Sequence, residues 1–162
     1  MTQILDKITA DKKLRRMALE VAERNFGKPS LTLIGIRENG IFIATKIAEY
    51  LKESFPGEIS VLSLSLDKKN PATVTFSETV NWNQANILLI DDVANSGRTM
   101  LYALKPLLEF YPAQIQTLAL VERTYKQFPI AMDYVGLSVA TTQAQHIVVE
   151  VVNGEVVSAG MQ

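Results

Sequence analysis

A chain of 162 residues with 48% hydrophobic side chains is long enough for one domain with a sizeable core, expected to span 1–162. A formal net charge of -1 excludes a global basic surface for nucleic acid, and the absence of cysteine excludes disulfides and thiolate metal sites. No apolar run approaches the ~20 residues a membrane span needs, and the first 13 residues lack a signal-peptide core, so a soluble cytoplasmic protein is expected.

Leu14, Met17, Ala18, Val21 and Ala22 recur at helical spacing and predict an amphipathic helix over 9–25, capped by Thr9 or Asp11. Gly27 and Pro29 break the chain. Residues 31–36 form a short apolar strand, which runs through a turn-like stretch, Arg37-Glu38-Asn39-Gly40, into a helix reaching Lys52. Residues 59–66 alternate apolar with serine, a strand pattern. The segment 67–84 is polar, with one brief strand-like piece at 73–76 and a tryptophan, Trp82, that packs it down. The continuous apolar run 87–90 suits a central parallel strand covered on both faces. A loop over 91–97 and a helix over 99–111 follow, the latter with Leu101, Leu104, Leu107 and Leu108 inward. Residues 116–121 form another strand, and Asn153-Gly154 joins strands 147–152 and 156–159 into a hairpin. The only histidine, His146, is expected at a surface or strand edge. Strands alternating with helices predict an α/β fold with a mostly parallel sheet, in which ligands bind beyond the carboxyl ends of the strands.

The informative stretch is 87–100, Ile-Leu-Leu-Ile-Asp-Asp-Val-Ala-Asn-Ser-Gly-Arg-Thr-Met. A buried strand delivers two adjacent acids, Asp91 and Asp92, to the end of the sheet. A loop of small and hydroxyl residues follows and a helix begins, offering unpaired N–H groups and the positive end of the helix dipole to an anion. Ser96 and Thr99 add hydroxyl donors, and Gly97 permits close backbone approach. Acids and serines also cap helices without binding anything. Two acids after a buried strand, followed by Asn-Ser-Gly-Arg-Thr, fit better with a ligand carrying a phosphate at one end and hydroxyls or a metal at the other.

This stretch resembles the motif by which type I phosphoribosyltransferases bind 5-phosphoribosyl-1-pyrophosphate (PRPP): an apolar strand, two acids and a small-residue loop ending Thr-Gly-x-Thr. Here Ser96 replaces the first threonine. The resemblance implies the type I phosphoribosyltransferase fold, a mostly parallel central sheet flanked by helices with a small hood. It also implies roles for particular residues. Asp91 and Asp92 would hold the ribose hydroxyls and magnesium, the one cofactor expected. Ala94, Asn95, Ser96, Gly97, Arg98 and Thr99 would hold the 5′-phosphate.

The likeness extends to one subfamily, the bifunctional pyrimidine-operon regulators that are also uracil phosphoribosyltransferases. Residues 34–41 resemble their pyrophosphate loop, which assigns Ile36, Arg37, Glu38, Asn39 and Gly40 to pyrophosphate. Residues 120–130, followed by Asp133-Tyr-Val-Gly136, resemble the segment where the hood meets the base, which puts the base near Arg123, Phe128, Pro129 and Ile130. The end of the first helix, Glu23-Arg24-Asn25, is also similar. Transfer of ribose 5-phosphate to a nucleobase, uracil favoured, by a homodimer is implied. The alternative is a regulator that senses PRPP or a nucleotide and binds RNA.

Three features depart from the subfamily. Glu38 puts an acid in a loop that is more basic in the relatives. The segment 67–84 is short where they carry a longer closing loop, although Lys68 and Lys69 remain as cations within reach of pyrophosphate. Arg15, Arg16 and Lys126 are retained, but residues 136–145 carry no positive charge, which disfavours RNA.

Overall fold

The computed structural model describes residues 1–67, 69–71 and 73–162. In chain order its elements are β1 (Thr2–Asp6), α1 (Lys7–Arg24), β2 (Ser30–Ile36), α2 (Gly40–Leu51), β3 (Glu58–Leu66) and β4 (Val74–Phe76). They continue with β5 (Asn86–Ala94), α3 (Arg98–Leu104), a 3₁₀ turn (Leu107–Glu109), β6 (Gln114–Arg123), β7 (Tyr134–Val139), β8 (Ile147–Val152) and β9 (Glu155–Met161). Six strands make the main sheet in the order β4-β3-β2-β5-β6-β7, parallel except for β4 against β3. A second, antiparallel sheet, β1-β9-β8, supplies the hood.

The central run reads as it does because β5 is covered on both faces. Leu88 and Ile90 pack with Leu14, Met17 and Val21 of α1 and with Ile43 and Ile47 of α2. Ile87 and Leu89 face the other way, into a cluster with Ile34, Ile36, Trp82, Met100 and Leu107. From β2 the chain winds outward to β3, and from β5 it winds the opposite way to β6 and β7. The strand order therefore reverses between β2 and β5, and a crevice opens at their carboxyl ends.

Several boundaries differ from the sequence reading. The first residues form β1, whose pairing with β9 is non-local. α1 starts at Lys7 and is capped by Asp6, which accepts the Thr9 N–H at 2.7 Å, in place of Thr9 or Asp11. β5 does not stop at Ile90. Its pairing with β6 continues through Asp91, Val93 and Ala94, so both acids are strand residues and the loop begins at Asn95. α3 ends at Leu104, because Pro106 has no N–H to continue the helix. The chain then rewinds as a 3₁₀ turn, which buries Leu107 and leaves Leu108 64% exposed.

The hood is tied to the helices by ions. Glu155 of β9 meets Lys7 at 3.0 Å and Lys46 of α2 at 3.2 Å, and Lys46 also reaches Glu49 at 3.6 Å. Hydrogen bonds from Lys7 and Lys46 hold the Glu155 carboxyl below its usual range. His146 is exposed and exchanges backbone hydrogen bonds with Gln162. At the opposite end of the main sheet, Asp133 accepts the Thr117 N–H at 2.9 Å and fixes the turn into β7.

Trp82 is 2% exposed and its ring centroid lies 5.3 Å from that of Phe76. It closes the second cluster from the polar segment. Trp82→Ala is expected to cost about 3–5 kcal/mol, measured by urea unfolding followed by far-UV circular dichroism. A loss below about 1 kcal/mol, the size of an ordinary substitution, would show that this core stands without it.

Candidate active site

The crevice between β2 and β5 is built from three segments. The first is the end of β5. Asp91 is 2% exposed and Asp92 is half-buried. Asp91 Oδ1 accepts the Asp92 N–H at 2.9 Å, and Asp92 Oδ1 accepts the Val93 N–H at 2.8 Å. Successive strand residues point to opposite faces, so the two carboxylates line different cavities.

Asp91 borders a cavity of about 50 Å³ enclosed by Val93, Ala94, Asn95, Ser96, Gly97, Arg98, Thr99 and Met100. Gly97 is required there twice over. Its φ is +92°, and a methyl group on it would lie 2.6 Å from Ile130 Cγ2. The segment carrying Phe128 and Ile130 rests on this loop, since the Gln127 and Phe128 N–H groups both donate to the Ser96 carbonyl, at 2.9 and 3.1 Å. Arg98 begins α3, and its Nη2 donates to the Lys69 carbonyl at 3.3 Å. That bond brings the polar segment to the rim of the cavity. Lys68 lies outside the described residues.

The second segment follows β2. Ile36 ends that strand with its side chain in the core, Arg37 and Glu38 are exposed, and the peptide between them is cis. The Arg37 N–H donates to the Leu64 carbonyl at 2.8 Å. Gly40 opens α2 directly against β5, where a methyl group would meet the Ile90 carbonyl oxygen at 2.8 Å. The helix therefore starts beside Asp91, and its positive end points into the crevice. Arg37, Glu38, Asn39, Ser65, Leu66 and Asp92 surround a cleft of about 420 Å³.

The third segment comes from β6 and the hood. β6 runs two residues past its expected end, and Arg123 closes it, 6% exposed. The Arg123 guanidinium donates to Thr141 Oγ1 at 2.8 Å and to the Thr142 carbonyl at 3.0 Å, lies 5.2 Å from the Tyr125 ring, and has Asn95 Oδ1 at 3.5 Å. It thus joins the 141–142 loop to the loop after β5. Phe128 and Ile130 are half-buried and Pro129 is exposed. Sequence reasoning missed Ser65 and Leu66 of β3 as cleft walls and the Val149 carbonyl of β8, which accepts from Asn39 Nδ2 at 3.0 Å. The Ser-Leu alternation of β3 was the one available signal. A backbone carbonyl leaves no trace in a sequence.

Two cavities thus meet at one topological switch point, with the Asp91 and Asp92 carboxylates between them. The phosphoribosyl transferase domain family matches residues 1–153. The chain is 34% identical over 157 residues to the bifunctional protein PyrR of Pediococcus pentosaceus, covering 90% of this chain and 89% of that one. It is 33% identical over 159 residues to bifunctional PyrR of Bacillus cereus, covering 91% and 88%. The hypoxanthine phosphoribosyltransferase of Trypanosoma cruzi superposes with a TM-score of 0.77 at 14% identity, over 86% of this chain and 82% of that one. The chain belongs to the phosphoribosyltransferase family and, within it, to the group of the bifunctional PyrR proteins.

Substituting Gly97 tests the smaller cavity. A Cβ there imposes left-handed strain of about 1–2 kcal/mol and displaces Ile130. For Gly97→Ala, ribose 5-phosphate affinity is expected to fall about tenfold with far-UV circular dichroism unchanged. Unaltered calorimetric affinity would place the phosphate elsewhere.

Proposed function

We propose that the protein transfers the ribose 5-phosphate of PRPP to a nucleobase, uracil favoured, and releases pyrophosphate, working as one domain over the whole chain. The observation that carries this reading is the placement of Asp91 and Asp92 between the two cavities. The smaller one suits the 5′-phosphate, the larger one pyrophosphate, and the ribose between them meets both acids. The subfamily likeness supplies the preference for uracil.

In this reading the loop of Ala94, Asn95, Ser96, Gly97, Arg98 and Thr99 binds the 5′-phosphate through backbone N–H groups and the Ser96 and Thr99 hydroxyls. Asp91 and Asp92 hold the ribose hydroxyls and lie near the positive charge that grows on the sugar as its C1–O bond breaks. Pyrophosphate takes the bonding electrons, a base nitrogen forms the new bond to C1, and the proton of that nitrogen passes to solvent. The loop from Ile36 to Gly40 and the first N–H groups of α2 receive the leaving group, an electrostatic contribution of the preorganised kind. The base lies by Arg123, Phe128, Pro129 and Ile130, and holding it near C1 turns an encounter into a positioned attack.

Magnesium fits this donor set as a metal that arrives with its substrate. Among the described residues no three His, Cys, Asp or Glu side chains form a cage. Magnesium commonly takes one or two carboxylates and completes its shell with phosphate oxygens and water. Of the two acids, Asp92 lines the larger cleft and would hold the metal there, while Asp91 opens on the other cavity, and when bound the metal supplies charge neutralisation on pyrophosphate.

Incubation with PRPP, magnesium and a panel of uracil, orotate, hypoxanthine, guanine, adenine and xanthine tests the reaction. Chromatography is expected to show a nucleoside monophosphate with uracil, and Asp91→Asn/Asp92→Asn is expected to abolish it with little loss of thermal stability. Normal turnover by that double variant would sink the assignment, and product with a purine alone would move the specificity.

A regulator acting through RNA is the second reading, and two observations weigh against it. Arg16 is committed internally, paired with Glu20 and donating to the Val135 and Gly136 carbonyls at 3.1 and 2.9 Å. The segment 136–145 holds no cation to neutralise a phosphate. Among the described residues no helix is long and apolar enough to cross a membrane. We place the protein in the cytoplasm as a homodimer, on the subfamily likeness. Sedimentation with and without a pyrimidine-leader RNA checks both points. The expected species has twice the 18.0 kDa chain mass and does not shift with RNA at physiological salt. A monomer, or a salt-sensitive complex, would overturn the corresponding part.

A further inference from the structure

Asparagine is a favoured helix N-cap, and Asn39 stands at the N-cap of α2, yet its side chain makes no capping bond. Its Nδ2 donates instead to Asp92 Oδ2 at 3.1 Å and to the Val149 carbonyl at 3.0 Å. A carboxylate and a carbonyl both accept, so only the amide nitrogen satisfies the pair and the sense of the amide is settled. These two bonds join the loop after β2, the end of β5 and the hood strand β8. Asp92 is held from both oxygens, Oδ1 by the Val93 N–H and Oδ2 by the Asn39 amide. A side chain already fixed in this way has less freedom to lose when a ligand binds it.

We propose that Asn39 is a positioning residue. Its amide presets the Asp92 carboxylate for the ribose hydroxyls of PRPP and fastens β8 to the pyrophosphate loop, and its side chain does not itself contact pyrophosphate. The assignment rests on the PRPP reading above. It also bears on what a more basic loop would do here. A cation at position 39 would form an ion pair with Asp92, whereas the neutral amide orients the acid without adding a charge beside it.

The test is a double-substitution cycle on PRPP affinity, measured by calorimetry with magnesium present. The four proteins are the unsubstituted chain, Asn39→Leu, Asp92→Ala and the combination. Asn39→Leu is expected to weaken PRPP binding about tenfold, the size of a lost hydrogen bond to a charged group. In the Asp92→Ala background the same change is expected to cost less than about twofold, because the group it acts through is gone. In turnover, Asn39→Leu should raise the KM for PRPP and leave the KM for the base unchanged. A purely structural asparagine would lower thermal stability and leave the cycle additive. Asn39→Asp has the same shape and sets a second carboxylate against Asp92. It is expected to lose at least as much affinity, and it serves if the leucine variant fails to fold. Equal losses in both backgrounds with thermal stability unchanged would mean that the amide touches PRPP itself, and no loss in either would mean that Asp92 needs no preset. Each of these overturns the positioning role and leaves the PRPP reading standing. Failure of the unsubstituted protein to bind PRPP would overturn both.

Discussion

Parallel pairing of β2 with β5 is the constraint on which the rest of the site depends. Thr32, Leu33, Ile34 and Gly35 pair in register with Ile87, Leu88, Leu89 and Ile90. That register brings the first turn of α2 level with Asp91, and Gly40 lets it approach to backbone contact. The two chain segments that bear the chemistry are some fifty residues apart in sequence and become neighbours only through this pairing. Because the connections leave the two strands in opposite directions, the crevice between them is open, and among the described residues no helix covers it. A one-residue slip would turn both apolar sets inside out. Double-sided burial of β5 therefore holds the site in place.

The acids gain their separate roles from the strand. Had the chain turned at Ile90, Asp91 and Asp92 would be adjacent loop residues sharing one environment. With β5 continuing to Ala94 in its ladder with β6, they point to opposite faces and line different cavities. A ligand lying across the strand end can meet both at once. Each carboxylate also receives a backbone N–H, Asp91 Oδ1 from Asp92 and Asp92 Oδ1 from Val93, which fixes both side chains on the strand end.

The hood packs onto the main core through Leu5, Ile147, Val149, Val156 and Ala159, and polar contacts add to that packing. Its ion pairs through Glu155 are largely exposed, and such pairs contribute little stability singly. The bond from Asn39 to Val149 is a direct link from the hood to the reacting centre. Arg123 makes a comparable link on the other side, between the 141–142 loop and Asn95. The floor of the site is thus the carboxyl edge of a buried sheet, and polar side chains such as Asn39 and Arg123 link its walls to that edge beside the apolar packing.

Much of the fold was legible in the amino-acid sequence. The alternation of strands and helices, the apolar run at 87–90, the acid pair and the Asn153-Gly154 turn depend on local chemistry and on side-chain periodicity, and their meaning survives wherever the segment packs. The type I phosphoribosyltransferase fold was implied by the resemblance of residues 87–100 to a known PRPP-binding motif, and the family match and superposition bear it out. What the sequence could not show is non-local. β1 is a polar strand that exists through its pairing with β9, and β5 outlasts its apolar run because β6 lies beside it. Leu108 obeys helical spacing but turns outward once Pro106 ends the helix. Asn39 reads as a turn residue and, by resemblance, as part of the pyrophosphate loop, and only the convergence of β5 and β8 on that loop makes it a brace for Asp92. Local propensity decides which segments become strands and helices. Which polar groups face one another is decided by contacts between residues far apart in the chain, and those exist only after the sheet has assembled.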